Sequence, residues 1–347
     1  MKRPKILPRE EGQPIRVVIC DDSPFMRRML RQGLERSLDI EVVGSAATAQ
    51  EAIELVNTLH PDVLTLDLEL PDMDGINVLH ACRSNPVRVL VISTFTDSAE
   101  TERAVEALAE GAVDVLGKPN VKAAPSVFFA QLLDRVRDIM QAAPYVSLDN
   151  VSAPKIKKGI QRLIVIGAST GGPRSLQSLL SALPADMNAP MLIVQHMPKT
   201  FTSVFAQRLG RMCAFEVVQA TDGAALVPGR AYVAAAGRHL HVDGQHIHVR
   251  SGDPVNGLIP AIDVTMIEAA AAWGSNVTGV ILTGIGKDGC EGARAIRAAG
   301  GRVIAESEDT CAVFGMPKAV IEAGLADEVV PLDRMAQAIV EEVYGRE

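Results

Sequence analysis

The amino-acid sequence predicts an α/β protein with two domains, and three observations carry this prediction. Short apolar runs alternate with amphipathic patterns of helical spacing along much of the 347-residue chain. Turns rich in Gly, Ser and Asp follow several of these runs, as in parallel sheets whose strands are joined by helices. Hydrophobic residues make up 48% of the chain and aromatic residues only 3%, so we expect cores of Val, Leu, Ile and Ala. The predicted domains are 14–143 and 162–347, and residues 144–161, which include two prolines and little hydrophobic periodicity, are the predicted linker.

Charge and cysteine content narrow the class of protein. The formal net charge is -8 and the pI about 5.5, so we expect neither nucleic acid nor an anionic membrane surface as a partner. The five cysteines are scattered without C-x-x-C spacing, which argues against a disulfide framework or a structural zinc site. No run approaches the roughly 18 apolar residues of a membrane span, and residues 1–14 lack the apolar core of a signal peptide. These features predict a cytoplasmic protein without direct membrane insertion.

The first domain is predicted to contain five βα units around a parallel sheet. The predicted strands are Arg16–Cys20, Ile40–Ser45, Val63–Asp67, Arg88–Ser93 and Asp114–Leu116. The predicted helices are Pro24–Leu38, Ala49–Leu59, Ile76–Arg83, Ala99–Glu110 and Val127–Ala142.

Polar side chains fall where these strands end. Asp21 and Asp22 follow the first strand, Asp67 closes the third, Ser93 closes the fourth, and Lys118 follows the fifth. The carboxyl ends of parallel strands share one edge of the sheet, so these side chains should meet there. Three carboxylates at one edge repel one another unless a cation lies among them, and Mg²⁺ prefers such oxygen ligands. The three aspartates are therefore the predicted Mg²⁺ ligands, with the lysine as a second positive charge.

This domain resembles the response-regulator receiver domain, which has a flavodoxin-like (βα)5 fold. The resemblance rests on Asp21-Asp22, on Asp67 followed by Leu70-Pro71-Asp72-Met73-Asp74-Gly75, and on Lys118-Pro119. It implies that Asp67 accepts a phosphoryl group from a histidine kinase and that Mg²⁺ is held by Asp22, Asp67 and the carbonyl of Leu68. It also implies that Ser93 and Lys118 contact the phosphate. Val115 departs from the family, which frequently has an aromatic residue there.

The second domain begins with a buried strand that runs into a Gly/Ser turn. The segment Leu163-Ile164-Val165-Ile166-Gly167-Ala168-Ser169-Thr170-Gly171-Gly172-Pro173 precedes a predicted helix from Pro173 through Leu180. A serine on a sharp strand-to-helix turn projects its hydroxyl from the edge of the sheet, close to N–H groups that can bind an oxyanion. Ser169 is thus a candidate nucleophile.

Two further polar residues follow apolar strands in this domain. His196 ends the run from Pro190, and Asp288 follows the run Val277–Thr283, after which 293–299 has a helical pattern. If the three strands are parallel neighbours, Ser169, His196 and Asp288 meet at one edge, where a base and an orienting acid could activate the hydroxyl.

Two alternatives remain open on the residues alone. The chain order of an α/β-hydrolase would instead combine Ser169 with Asp222 and with His239 or His241, and further rivals are His246, His248, Asp243 and Asp263. The segment Gly284-Ile285-Gly286-Lys287-Asp288-Gly289 is also a literal dinucleotide-binding fingerprint, with Glu306 near the expected ribose-binding position. Asp288, however, would place a carboxylate in the loop that receives the pyrophosphate.

The second domain resembles the catalytic domain of the CheB methylesterase family. The resemblance rests on four segments, 166–173, Gln195-His196-Met197-Pro198, 282–289 and Phe314-Gly315-Met316-Pro317, and on the receiver-like domain ahead of them. It implies a mostly parallel, Rossmann-like α/β fold. Carried over by position, Ser169 is the nucleophile, His196 the general base, and Asp288 the residue that orients His196. Thr170 and the backbone near Ile285 are implied to help bind the oxyanion.

The same resemblance implies a function and partners. The expected reaction is hydrolysis of glutamate methyl esters on the cytoplasmic domains of chemoreceptors, with release of methanol and, in addition, deamidation of receptor glutamines. The expected phosphodonor is the histidine kinase CheA, and phosphorylation is expected to relieve inhibition by the receiver. Mg²⁺ is expected in the receiver only, with no cofactor for the esterase chemistry.

The departures from the family pattern lie outside the triad. Ile285 replaces a methionine, Ala235-Ala236 replace Pro-Gly, Leu258-Ile259 replace polar residues, and Glu306-Ser307-Glu308 replace Gln-Asp-Glu. Two other classes stay open on sequence: a regulator that keeps the second domain only for binding, and a small-ester hydrolase that ignores receptors.

Overall fold

The computed structural model describes residues 13–94, 98–119, 125–140 and 162–345. The chain divides into two compact units, Met1–Ser147 and Leu148–Glu347. The predicted linker, 144–161, and the last residues of the helix predicted to reach Ala142 lie outside the described residues. None of the helices in the described ranges is long and apolar enough to cross a bilayer.

The N-terminal unit is built on a five-stranded parallel sheet with the strand order β2-β1-β3-β4-β5. Its strands are β1 Ile15–Cys20, β2 Ile40–Ala46, β3 Val63–Leu66, β4 Arg88–Ser93 and β5 Asp114–Gly117. Its helices are α1 Pro24–Leu34, α2 Ala49–Leu59, α3 Gly75–Ala81, α4 Ser98–Glu110 and α5 Pro125–Ile139, with a short 3₁₀ helix at Cys82–Ser84. The five parallel strands and their alternation with helices confirm the predicted fold class. Strands β1, β3 and β4 are buried and mostly apolar, as expected for a sheet covered on both faces.

Helix α1 is shorter than predicted. It begins after Ser23, whose hydroxyl accepts a hydrogen bond from the Met26 N–H, and Pro24 occupies the first turn. It ends at Leu34, and not at Leu38 as predicted. Leu38 is fully exposed, so continuing the helix to this residue would bury no further apolar surface.

The C-terminal unit contains a seven-stranded parallel sheet with the order β14-β13-β12-β6-β7-β9-β8 and a separate antiparallel hairpin, β10-β11. Its strands are β6 Leu163–Ala168, β7 Met191–Gln195, β8 Glu216–Gln219, β9 Arg230–Val233, β10 His239–Val242, β11 Ile247–Arg250, β12 Val277–Ile281, β13 Arg302–Glu306 and β14 Glu328–Val330. Its helices are α6 Gly172–Ala182, α7 Thr202–Met212, α8 Ile262–Trp273, α9 Cys290–Ala298, α10 Met316–Glu322 and α11 Leu332–Tyr344, with a 3₁₀ helix at Gly274–Asn276.

The order β12-β6-β7 brings together the three strands that were predicted to be parallel neighbours. Ala168 pairs with Gln195 across β6 and β7, and Ile281 pairs with Gly167 across β12 and β6. Ser169, His196 and the turn after β12 therefore leave the sheet at the same edge. Several boundaries differ from prediction: β12 stops at Ile281, α6 spans Gly172–Ala182 and not only Pro173 through Leu180, and α9 begins at Cys290. The N–H of Leu282 still bonds to the carbonyl of Gly167 in β6, and the ladder ends at Thr283, whose N–H bonds to the side chain of Glu306.

Candidate active site

The serine turn is held by a buried glutamine from the neighbouring strand. Gln195 donates from Nε2 to the carbonyl oxygen of Ser169 at 2.9 Å and to that of His196 at 2.8 Å. Gly171 adopts φ +79°, a left-handed conformation that favours glycine. A Cβ atom on Gly172 would lie 2.0 Å from Oε1 of Gln195. The turn thus needs glycine at 171 for its backbone conformation and at 172 for its close contact with Gln195. The sequence alone indicates no role for Gln195.

Substituting Gly172 by alanine should damage this turn. The added methyl group would displace the amide of Gln195 and break its hydrogen bonds to the two carbonyl groups. We expect a loss of about 1–3 kcal/mol in the free energy of unfolding, together with lower turnover, measured by thermal unfolding and ester hydrolysis. Because the two changes share the contact with Gln195, Gly172→Ala combined with Gln195→Ala should cost less than the sum of the two single losses, and the remainder reflects the 2.8 Å approach of the added Cβ to the Cβ of Ala168. Additive losses would contradict this explanation.

His196 and Asp288 form a direct side-chain pair. His196 Nε2 lies 2.9 Å from Asp288 Oδ2, and the side chains are 12% and 2% exposed. Because a carboxylate accepts, the hydrogen atom belongs on Nε2, which leaves the lone pair of Nδ1 free to act as a base. The geometry therefore presents Nδ1 as the nitrogen that can take a proton.

Backbone N–H groups keep Asp288 ionised. Its oxygens accept hydrogen bonds from Ile262 N at 2.7 Å and from Asp263 N and Gly289 N at 3.0 Å each, the first two at the start of α8. Burial alone would raise the pKa of Asp288, but the hydrogen bonds from His196, Asp263 and Ile262 outweigh it and hold the pKa below its usual value. An ionised Asp288 can orient His196 and stabilise the protonated ring.

A second buried carboxyl group, Asp263, fixes the loop that carries Asp288. Its Oδ1 accepts hydrogen bonds from Gly289 N at 2.9 Å and Gly292 N at 2.8 Å. Burial, together with the charge of Asp288, raises the pKa of Asp263. On sequence Asp263 was a rival catalytic acid, and the structure places it behind Asp288 as a loop support.

Several backbone N–H groups near Ser169, those of Thr170, Gly171, Ile285 and Gly286, make no hydrogen bond within the part of the chain that the structure describes. The N–H of Ser169 donates to the carbonyl of Thr283 at 3.0 Å, so it does not point to a substrate. Among the hydrogen bonds of the described residues, none uses the N–H of Thr170 or Ile285, and none joins the Ser169 hydroxyl to His196. The side chain of Thr170 is largely buried, and Ile285 is half-buried. This pattern is compatible with the predicted oxyanion role of these two residues.

The alternative histidines serve the β10-β11 hairpin. His239 is held between the carbonyl of Asp253 and the N–H of Ala261, and His241 pairs with Glu268 at 2.7 Å. Asp222 accepts the N–H of Val249. Among the described residues, these side chains make no hydrogen bond to Ser169. His248 Nε2 lies 2.8 Å from Asp243 Oδ2, and His246 Nδ1 lies 3.8 Å from Asp243 Oδ1. The geometry therefore disfavours the α/β-hydrolase order.

The dinucleotide alternative is also disfavoured. The carboxylate of Asp288 already accepts the N–H of Gly289 in the loop that would receive the pyrophosphate. Glu306, the candidate ribose ligand, is 0% exposed and accepts the N–H of Thr283 at 2.9 Å. Neither residue is available for a nucleotide.

In the N-terminal unit, a lysine joins two buried aspartates at the edge of the sheet. Lys118 Nζ lies 2.5 Å from Asp67 Oδ2 and 2.9 Å from Asp21 Oδ2. Burial and the neighbouring Asp21 raise the pKa of Asp67, and Lys118 offsets only part of this effect. Burial would lower the pKa of Lys118, but its two ion pairs raise it above the usual value, so the ammonium group stays charged. Ser93 is buried beside them, its carbonyl bonded to Lys118 N at 2.7 Å.

The donor set at this edge fits a hard divalent cation. Asp21, Asp22 and Asp67 each offer a carboxylate oxygen, and these atoms lie within 4.8 Å of one another. Asp21 Oδ2 is buried, and within the described ranges its polar contact is the ion pair with the ammonium group of Lys118. The Leu68 carbonyl, which the receiver resemblance assigns to the metal, is held differently: it accepts from Gly75 N at 3.0 Å and from Arg103 Nη2 at 2.9 Å.

Together, these features define a class of protein. One unit carries an acidic, lysine-containing edge of the receiver type, and the other carries a serine turn beside a His–Asp pair, as in serine hydrolases. The chain is thus a response regulator with a hydrolase-type second domain.

Comparison with known proteins identifies the family. Residues 164–339 match the CheB methylesterase family model, and residues 17–124 match the response regulator receiver domain model. The chain therefore belongs to the CheB methylesterase family.

Relatives match along nearly the whole chain. Protein-glutamate methylesterase/protein-glutamine glutaminase 5 of Myxococcus xanthus is 43% identical, with 93% of this chain and 96% of the relative covered. Protein-glutamate methylesterase/protein-glutamine glutaminase of Thermotoga maritima is 39% identical, with 94% of this chain and 98% of that relative covered. The crystal structure of the Thermotoga maritima CheB methylesterase catalytic domain is 42% identical and has a TM-score of 0.52, covering 53% of this chain and 100% of that domain.

Proposed function

We propose that this chain is a phosphorylation-activated protein-glutamate methylesterase that acts on chemoreceptors. Its substrates are glutamate methyl esters on receptor cytoplasmic domains, and the products are glutamate and methanol. The observation that carries this proposal is the edge shared by β12, β6 and β7, where Ser169 and His196 follow paired residues of β6 and β7 and His196 is hydrogen-bonded to the buried Asp288. The receptor partner places the enzyme in the cytoplasm.

Acylation follows from this arrangement. The Ser169 oxygen attacks the ester carbonyl carbon as Nδ1 of His196 takes the hydroxyl proton. Asp288 stabilises the imidazolium that forms, while the N–H groups of Thr170 and Ile285 bind the oxyanion. His196 then returns the proton to the methoxy oxygen, the C–O bond breaks, and methanol leaves an acyl-enzyme.

Water completes the cycle at the same groups. His196 Nδ1 accepts a proton from water as the oxygen attacks the acyl carbon, and the Ser169 oxygen leaves with that proton, which gives free glutamate. A glutamine side chain follows the same steps with ammonia as the leaving group. The proposal therefore includes receptor deamidation.

The receiver domain supplies control. The Asp67 carboxylate attacks the phosphorus of a phosphohistidine, for which we propose the histidine kinase CheA as the source; as the P–O bond forms, the P–N bond breaks and the imidazole of the donor leaves. Lys118 is positioned to neutralise phosphoryl oxygens. Ser93 lies on the adjoining strand with its hydroxyl as a further contact. Mg²⁺, held by Asp21, Asp22 and Asp67, would supply positive charge for the phosphoryl oxygens when bound. We expect the phosphorylated receiver to raise esterase activity.

Substitution of Asp67 by alanine should abolish this control. With Mg²⁺ and acetyl phosphate, we expect phosphoryl incorporation in the wild type and none in Asp67→Ala, measured by phosphate-affinity electrophoresis. Ester turnover should rise with the phosphodonor only in the wild type. Asp134→Asn, which removes an exposed carboxylate on α5, is the matched control and should behave as wild type. Equal stimulation of Asp67→Ala would disprove the regulatory part of the proposal.

The function itself can be tested on receptor cytoplasmic domains. Methylated domains are incubated with the full chain, and mass spectrometry follows each methylated glutamate and each glutamine. We expect loss of methyl groups and conversion of glutamine to glutamate at receptor sites. Hydrolysis of simple esters with all receptor sites unchanged would instead indicate the small-ester hydrolase.

A further inference from the structure

Glu306 is a carboxyl group buried behind the serine turn. It ends β13, next to β12 in the sheet, and is 0% exposed. Its Oε2 accepts the N–H of Thr283 at 2.9 Å, and its Oε1 accepts the hydroxyl of Thr310 at 3.0 Å. No step of the proposed mechanism uses this residue, and a buried carboxylic acid is expensive to keep without a reason.

Thr283 connects Glu306 to the nucleophile. The carbonyl of Thr283 accepts the N–H of Ser169 at 3.0 Å, and its hydroxyl donates to the carbonyl of Thr170 at 2.9 Å. Thr283 also begins the turn that carries Ile285. One residue thus links the Glu306 carboxyl group to both segments that would bind the oxyanion.

We infer that Glu306 is a positioning residue for the esterase, whose carboxyl group fixes Thr283 and whose loss of a proton lowers ester turnover. This inference rests on the proposed function of Ser169. In both protonation states the hydrogen bonds can be kept, because a neutral carboxyl group still accepts from Thr283 and can donate to Thr310 Oγ1. What changes is the charge behind the turn.

A negative charge on Glu306 disfavours formation of the oxyanion. A carboxylate at Glu306 lies in the buried interior and is joined through Thr283 to the backbone of Ser169 and Thr170. These segments would border the substrate oxygen on which the oxyanion develops, so the two negative charges repel. The charged group that acts on Glu306 from another element is Arg174 of α6, which favours the ionised form. Burial dominates, and it raises the pKa of Glu306 to about 7 although Thr283, Thr310, Cys311 and Arg174 lower it. The charge therefore appears near neutral pH.

Glu306→Gln is the direct test, because glutamine has the shape and hydrogen bonds of the protonated acid at every pH. For the full chain acting on methylated receptor, we expect wild-type kcat/KM to fall roughly tenfold as Glu306 ionises near neutral pH. This is a smaller effect than removal of an oxyanion-hole donor, which lowers kcat by ~10²–10³. Glu306→Gln should lack this fall. Glu308→Gln, at an exposed position of the same loop, is the matched control and should keep it.

A second measurement does not depend on activity. The unfolded chain releases the Glu306 proton near pH 4.5 and the folded chain near 7, so rising pH destabilises the wild type across that window. The difference in Tm between Glu306→Gln and the wild type should therefore grow as the pH rises. Above pH 7 it should favour Glu306→Gln by on the order of 5 °C more than it does at pH 4.5. If Glu306→Gln folds poorly, Thr310→Val is the second variant. The hydroxyl of Thr310 bonds more strongly to the carboxylate than to the neutral acid and so lowers the pKa of Glu306, and its removal should move the fall in kcat/KM to higher pH.

The outcomes separate the inference from the proposed function. The role of Glu306 would be overturned if kcat/KM depended on pH in the same way for wild type and Glu306→Gln. It would also be overturned if the difference in Tm between them did not change with pH. No methyl-ester hydrolysis by the wild type at any pH, with the pH-dependent melting difference intact, would overturn the proposed function instead.

Discussion

Replacing Ser169 by alanine is expected to abolish ester hydrolysis, with a fall in kcat of at least about 10⁴-fold. The hydroxyl oxygen is the atom that forms the acyl-enzyme, and alanine offers no substitute. Thermal unfolding should change little, because the hydrogen bonds that hold the turn use the Ser169 backbone and the Gln195 amide.

A covalent probe separates loss of the nucleophile from loss of the fold. A serine-reactive fluorophosphonate should label the wild type at Ser169, identified by peptide mass spectrometry, and should not label Ser169→Ala. Ser181→Ala, which removes an exposed hydroxyl at the end of α6, is the matched control and should keep wild-type labelling and turnover. Wild-type turnover in Ser169→Ala would refute the assignment.

Asp288→Asn is expected to have the second largest effect. An asparagine amide can donate to Nε2 of His196, which would move the ring hydrogen atom to Nδ1 and remove the base. In the serine-protease triad the equivalent change costs about 10⁴ in kcat, and we expect a loss of about 10³–10⁴ here. The measurement is steady-state ester hydrolysis at several pH values.

Asp263→Asn is the control for this experiment. Asp263 holds the same loop through Gly289 and Gly292 but does not touch His196, and an asparagine oxygen can accept the same two hydrogen bonds. Its effect should be about tenfold or less, as for a loop support. Equal losses in the two variants would mean that Asp288 acts only through the loop.

Much of the fold could be predicted because its signals are local. Strands such as β6 and β12 are uninterrupted apolar runs bounded by turn residues, and parallel strands carry such runs when both faces are buried. That pattern predicts that Ser169, His196 and Asp288 lie at one edge if their strands are parallel neighbours. In the structure β12, β6 and β7 are such neighbours, and the His196–Asp288 hydrogen bond joins two of the three side chains.

What could not be predicted depends on contacts between distant segments. Gln195, Asp263 and Glu306 support the site through hydrogen bonds to residues 23 to 29 positions away, and nothing in their own neighbourhoods indicates the partner. The departure of Glu306 from the glutamine of the family was the one sequence signal for its role. The hydrogen bond from Arg103 to the Leu68 carbonyl is a further contact of this kind, between residues 35 positions apart.

Phosphorylation of Asp67 is expected to raise methyl-ester hydrolysis at Ser169. The most direct measurement is methanol release from a chemoreceptor cytoplasmic domain methylated by the methyltransferase CheR, with and without acetyl phosphate and Mg²⁺, for the full-length wild type and Ser169→Ala. We predict that release by the wild type rises with the phosphodonor and that Ser169→Ala releases none under either condition. No methanol from folded wild-type protein on any methylated receptor, with Asp67 shown to be phosphorylated, would contradict the account and favour a regulator whose second domain only binds.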